Sequence, residues 1–162
     1  MKSDAENLDP FFDLAFNEAL AGIENAHGGP FGAVIVKDGK VIGKGHNTVL
    51  RDNDPTAHAE VNAIRDACKN LKSPHLEGCT LIASSEPCPM CLTTSYWAQI
   101  SKIVYATPRQ VAAEVGFADD FIYQDLAKDP SVRSISVTWA EKQAEKGKKI
   151  FRDWQAGGGK LY

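Results

Sequence analysis

Cys79-Thr80-Leu81-Ile82-Ala83-Ser84-Ser85-Glu86-Pro87-Cys88-Pro89-Met90-Cys91 is the run on which the fold turns. Its first part, Cys79 to Ser84, is short, continuous and apolar, and reads as a buried strand. Its second part starts a helix, because Pro87 stands where a first helical residue would, with Ser85 and Glu86 ahead of it. Cys88 and Cys91 are three apart, so on that helix they lie one turn above the other and can bite one ion. Open α/β sheets carry their sites where a helix begins at a strand's carboxyl end.

The partner stretch is Asn53-Asp54-Pro55-Thr56-Ala57-His58-Ala59-Glu60, whose Asp-Pro-Thr is a second helix-start signal. His58, Cys88 and Cys91 therefore all fall at helix N-termini, where unpaired N–H groups and the positive dipole end favour thiolate, the form Zn²⁺ takes. Three such ligands leave a tetrahedral ion one position short, and an open position filled by water separates catalytic from structural zinc. Two thiolates cancel the ion's formal charge, so a bound water is less acidified than at an all-His site and a neighbouring base becomes necessary. Glu60, turned off the His58 face by its offset of two residues, is the candidate base, although spacing alone does not bring it to the water. A lone C-x-x-C also occurs in redox motifs and zinc knuckles. A closed structural zinc would need a further ligand from Cys68, Cys79, His27, His46 or His75, none of which forms a second paired motif; a thioredoxin-like dithiol leaves His58 and Glu60 without a role.

The chain has 162 residues, 43% of them apolar, which suits one domain with a sizeable core. Cys68 and Cys79 show no disulfide framework, as expected of a reducing compartment. Residues 1–7 are polar and acidic, with no apolar leader core, and no apolar run approaches a membrane span, so a cytoplasmic location is expected. A net charge of −3 offers no broad basic footprint for nucleic acid.

Outward from the central run, Asp9-Pro10 opens a helix with Phe12, Phe16, Ala19, Leu20 and Ile23 on one stripe, closed by His27-Gly28-Gly29-Pro30. Phe31 to Lys37 and Lys40 to His46 are strands joined by the hairpin signal Asp38-Gly39. A helix is expected from about Pro55 to Asn70 with Val61, Ile64 and Cys68 inward, then the central strand, then a helix from Cys88 through Trp97 and a strand from Lys102 to Ala106. Residues 109–128 read as helical with a break near Gly116. Ser134 to Trp139 alternates as a last, half-exposed strand, and Ala140 to Gln155 is a charged helix weakened at Gly147. Gly157-Gly158-Gly159 reads as a flexible joint before the last three residues. The expectation is a three-layer α/β/α fold around a mixed five-stranded sheet.

The His-x-Glu and Pro-Cys-x-x-Cys pattern resembles the cytidine deaminase superfamily. Gly28-Gly29-Pro30-Phe31-Gly32-Ala33-Val34-Ile35-Val36, the run from Asn53 to Glu60, Glu86 to Cys91, and Gly116-Phe117-Ala118-Asp119-Asp120-Phe121-Ile122-Tyr123 look more narrowly like its bacterial guanine deaminase branch. The resemblance covers nearly the whole chain and implies a cytidine deaminase-like fold, Zn²⁺ as cofactor, and hydrolytic removal of a ring amine. Water is the co-substrate and Glu60 moves the protons.

The same resemblance implies guanine as the base, with Asn47 hydrogen-bonded to the ring, Phe31 and Trp97 stacked on it or walling it, and Asp119 accepting from its N–H groups. It also implies a homodimer in which residues 157–162 are exchanged and Tyr162 closes the neighbour's pocket. Each residue has a plainer reading: Asn47 as a turn residue, the aromatics as core, Asp119 as a helix cap, Tyr162 as a frayed end. Other amino-heterocycles such as cytosine or an amino-triazine, a nucleoside, a tRNA adenosine, and a zinc-stabilised interaction domain without activity are the competing functions.

Overall fold

The computed structural model describes residues 7–162, so the amino-terminal segment read above as lacking a leader lies almost wholly outside the described residues. The chain divides into two compact units, Met1–Asp119 and Asp120–Tyr162.

In the first unit, α1 (Asp9–Glu24) precedes β1 (Gly32–Lys37) and β2 (Lys40–His46), which pair antiparallel. Asp38 and Gly39 both take positive φ (49° and 70°), the twist a two-residue hairpin turn requires. β3 (Thr80–Ser85) pairs antiparallel with β1, and β4 (Lys102–Thr107) lies parallel to β3, giving the order β2-β1-β3-β4. The parallel pair needs a crossover, which α4 (Pro89–Trp97) supplies. Alternate strand residues face opposite layers. Ala33, Ile35, Leu81 and Ala83 pack with Ala59, Ala63, Ile64 and Ala67 of α3 (Ala59–Leu71) and with Ala98 at the end of α4. Val34, Val36 and Ile82 pack with Leu8, Phe11 and Phe12 at the start of α1. The three layers and the mixed sheet are as expected.

Four expectations are corrected. Among the described residues the sheet has four strands, not five. Ser134 to Trp139 forms no strand, and Ile135, Val137 and Trp139 are exposed, because the described elements of the second unit are all helical and offer no edge for the alternating run to pair with. The helix expected from Pro55 starts only at Ala59, after a four-residue α2 (Val49–Asp52), since Asp54 spends its carboxylate on a local turn, accepting from Thr56 N at 2.8 Å. The stripe on α1 is rotated: Ala15, Ala19 and Gly22 are buried while Phe16, Leu20 and Ile23 are exposed.

Small residues cause that rotation. A Cβ on Gly32 would run into the backbone at Ala15 O, and into Ala19 N at 2.5 Å, so helix and strand meet backbone to backbone with no room for large side chains between them. Gly32→Ala is therefore expected to lower stability by about 3 kcal/mol, read from the denaturant midpoint. Gly147, inside α7 (Ala144–Ala156) with nothing within 4 Å of its would-be Cβ, is the control. Gly147→Ala is expected to strengthen that helix by about 0.8 kcal/mol.

The second unit holds α6 (Asp120–Leu126), two single 3₁₀ turns and α7; α5 (Arg109–Glu114) belongs to the first. The three glycines after α7 form a folded helix stop: Gly158 takes φ 74°, and Gly159 N donates to Trp154 O at 2.9 Å and lies against that indole. No helix among the described residues is long and apolar enough to cross a membrane.

Candidate active site

His58 is the N-cap of α3 (φ −71°, ψ 159°) and Cys88 the N-cap of α4 (φ −67°, ψ 169°), with Cys91 in the first turn of α4. Neither residue closes its helix with a conventional side-chain cap hydrogen bond. The helices bring the three donors into a triangle. His58 Nδ1 is 3.5 Å from Cys88 Sγ and 3.5 Å from Cys91 Sγ, and the sulfurs are 3.5 Å from each other. A tetrahedral ion with Zn–S near 2.3 Å and Zn–N near 2.05 Å has edges of about 3.6 to 3.8 Å, so the triangle fits Zn²⁺ to within a few tenths of an ångström. Both cysteines are free. These three are the cluster that could hold a metal among the described residues; none of the alternative fourth ligands joins it.

The electrostatics suit the same ion. Hydrogen bonding from Cys91, against the cost of burial and with help from His58, holds the Cys88 thiol down to about 4, while the shared bond and burial push Cys91 well up. His58 is raised, chiefly by its bond to Cys88. Glu60 sits in the first turn of α3, only 7% exposed, and burial pushes its carboxyl up to about 7 although Cys91 and His58 pull it down. A carboxyl that can gain or lose a proton near neutrality is suited to general acid–base work.

The loops around the triad are tied to the sheet. Glu86 N donates to Thr107 O at 2.8 Å, and its Oε2 accepts from Arg109 N at 3.0 Å, which caps α5 and fixes the approach to Cys88. Asn62 Nδ2 donates to His46 O and Thr48 Oγ1, both at 2.9 Å, and Thr48 N donates to Ala57 O at 2.9 Å. The end of β2 and the approach to His58 are thereby stitched together, placing Asn47 beside the metal ligands' loop.

Asn47 is buried, and its Oδ1 accepts from Gly29 N and Val49 N, each at 3.2 Å. With the oxygen occupied, the amide is held in one orientation with Nδ2 as its remaining donor. Phe31 is half-buried and meets Phe117 edge to face, centroids 5.0 Å apart at 87°. Gly29 lies against both rings, so a Cβ there would strike each at about 3 Å. Asp119 is half-buried at the end of the first unit. Trp97 is not brought to the triad: it is 74% exposed at the last turn of α4, about 9 Å along the helix from Cys91. Tyr162 is 79% exposed in the second unit. Phe117 and Asn62 went unread in the sequence. The i+4 offset of Asn62 from His58 was a usable signal, whereas the Phe31–Phe117 pair, 86 residues apart, had none.

Residues 5–107 match the family described as the cytidine and deoxycytidylate deaminase zinc-binding region. Guanine deaminase of Bacillus subtilis is 50% identical over 129 residues, spanning 80% of this chain and 83% of that protein. Its X-ray structure superposes with a TM-score of 0.82 at 46% identity, covering 91% of this chain and 94% of the other. A tRNA-specific adenosine deaminase of Aquifex aeolicus is 43% identical over 96 residues, 59% of this chain and 63% of that protein.

Proposed function

The chain belongs to the cytidine and deoxycytidylate deaminase family, and from that premise we propose guanine as the base it deaminates, giving xanthine and ammonia. What carries the reading is identity: 50% with the guanine deaminase over 80% of this chain, against 31 to 43% with tRNA-specific adenosine deaminases that cover 59 to 94% of it. The acidic balance, net charge −3, agrees with a small-molecule substrate.

His58, Cys88 and Cys91 would hold Zn²⁺, which when bound acidifies water and polarises the carbon under attack. The chain's own part is proton movement and positioning. Glu60 accepts a proton from the attacking water and delivers it to a ring nitrogen as oxygen bonds to C2; it then takes the proton of the new C2 hydroxyl and gives it to the amine, so that C2=O forms as the C2–N bond breaks and ammonia departs. Burial, which raises its carboxyl above the usual range, suits one group to act as base and then as acid. Asn47 Nδ2 donates to the ring carbonyl, and Phe31, held by Phe117, supplies a stacking face. Asp119 would accept from the base's N–H groups, and Trp97, exposed at the last turn of α4, would wall the base only from the rim, away from the triad.

The same reading makes residues 1–162 one functional domain in a cytoplasmic homodimer, with tail 157–162 exchanged and Tyr162 closing the neighbour's pocket. Its support is apolar surface that a lone chain leaves in water: Tyr96 and Trp97 on the first unit, and Leu161 and Tyr162 on the second, are all exposed. Truncation before Gly157 is expected to raise KM several-fold with zinc content unchanged.

The deciding experiment follows ammonia from guanine, guanosine, adenine, cytosine, cytidine and a tRNA anticodon stem. Guanine is expected to give the highest kcat/KM. Faster turnover of the tRNA stem would move the chain to the adenosine-editing branch, and no ammonia from any of them, with zinc loaded, would leave a non-catalytic domain.

A further inference from the structure

Four charged or titratable side chains outside the triad form a continuous chain behind Asn47. Lys44 Nζ pairs with Glu18 Oε1 at 2.8 Å, Glu18 Oε2 meets His46 Nδ1 at 3.0 Å, and His46 Nε2 meets His27 Nδ1 at 2.9 Å. The two imidazoles also stack, centroids 5.2 Å apart at 16°. A carboxylate only accepts, so His46 donates from Nδ1; as a neutral imidazole its Nε2 then accepts and His27 donates from Nδ1. The direction of every bond is set from the Glu18 end, and Lys44 and His46 together keep that carboxyl below its usual range despite burial.

The two histidines bracket the base-binding amide. His46 immediately precedes Asn47, and His27 immediately precedes Gly28 and Gly29, the turn whose N–H holds Asn47 Oδ1. His27 O also accepts from Leu50 N and Arg51 N, each at 3.0 Å, so the same residue secures the first turn of α2 just past Asn47. Gly28 packs so closely on Asn47 Oδ1 that a Cβ would overlap it. Any shift of the 27–29 turn is transmitted to that amide.

We propose that His27 and His46, locked as a pair by Glu18, are positioning residues that fix the Asn47 amide against the base. The inference rests on Asn47 binding the ring, as in the function proposed above. It assigns neither histidine a contact with substrate.

The test compares His46→Leu, His46→Gln and His27→Ala with the parent, each zinc-loaded, on whichever base the parent turns over fastest. His46→Leu cannot accept from His27 and is expected to raise KM about tenfold with kcat within about twofold and zinc content unchanged. Glutamine offers an N–H donor and an oxygen acceptor on one amide, so His46→Gln is expected to restore KM to within about threefold of the parent. His27→Ala should match His46→Leu, and the double variant should be no worse than either alone, because both break one link. If His46→Leu fails to fold, His27→Ala carries the same expectation. An unchanged KM in His27→Ala, or losses that multiply in the double variant, would overturn the proposal. A parent that prefers another base corrects the substrate reading and leaves this comparison standing.

Discussion

Glu60→Gln is expected to keep one zinc per chain while kcat on guanine falls by about a thousandfold, within the range general acid–base groups supply. The substitution is isosteric, and it falls in the first turn of a helix whose N-cap, His58, is the proposed ligand, so the backbone that aims the imidazole is untouched. Glu60 is buried, and an uncharged amide costs less to bury than a carboxylate, so folding is preserved. What the amide lacks is a site that takes a proton and returns it. Metal content by elemental analysis separates this outcome from loss of the ion, and an amide variant with kcat within tenfold of the parent would remove Glu60 from the proton path.

The pH profile gives the same residue a second readout. With Glu60 as the proposed base, kcat/KM should depend on its ionised fraction and fall as pH drops through its pKa. Burial sets that value at about 7, and a dication on the adjacent ligands favours the carboxylate and draws the limb lower. The parent should therefore lose activity on the acid side below about pH 7, while the small residual rate of Glu60→Gln should show no limb there.

The site was more legible in the sequence than its supports, and the reason is physical. Metal chemistry demands particular atoms at particular spacing, so His58, Glu60, Cys88 and Cys91 announce themselves locally, as does the strand-to-helix junction that presents the cysteines. The hairpin at Asp38-Gly39 is equally local. Nothing local marks which face of α1 is buried. Phe16, Leu20 and Ile23 look like core by size, yet Ala15, Ala19 and Gly22 face the sheet because Gly32 lets the two backbones meet. Alternation at Ser134–Trp139 is a property of one segment, whereas a strand is a property of a pair, and the second unit supplies no partner. The His27–His46 pair was visible only as two spare histidines, since the contact that gives them a role spans 19 residues of hairpin and helix end.

Cys91→Ser is expected to cost more than any change in the pocket: zinc stoichiometry should fall well below one per chain and turnover by more than about a thousandfold. Cys91 is fully buried, so its replacement hydroxyl is a weak ligand that water cannot supplement from the protein side. Removing one thiolate also removes half the charge that neutralises the ion and leaves a two-atom grip between segments 30 residues apart, α3 and the β3–α4 junction. An ion held by these residues would cross-link those segments, so the parent should show a lower thermal midpoint with chelator that recovers on adding Zn²⁺. Cys91→Ser should show the low midpoint with or without the metal. Cys68 is the internal control, being a half-buried thiol outside the triangle. Cys68→Ser should keep both zinc and turnover. If Cys91→Ser bound zinc as tightly as the parent, the ion would be held by other side chains, and the geometry on which the hydrolytic reading stands would belong to a different site.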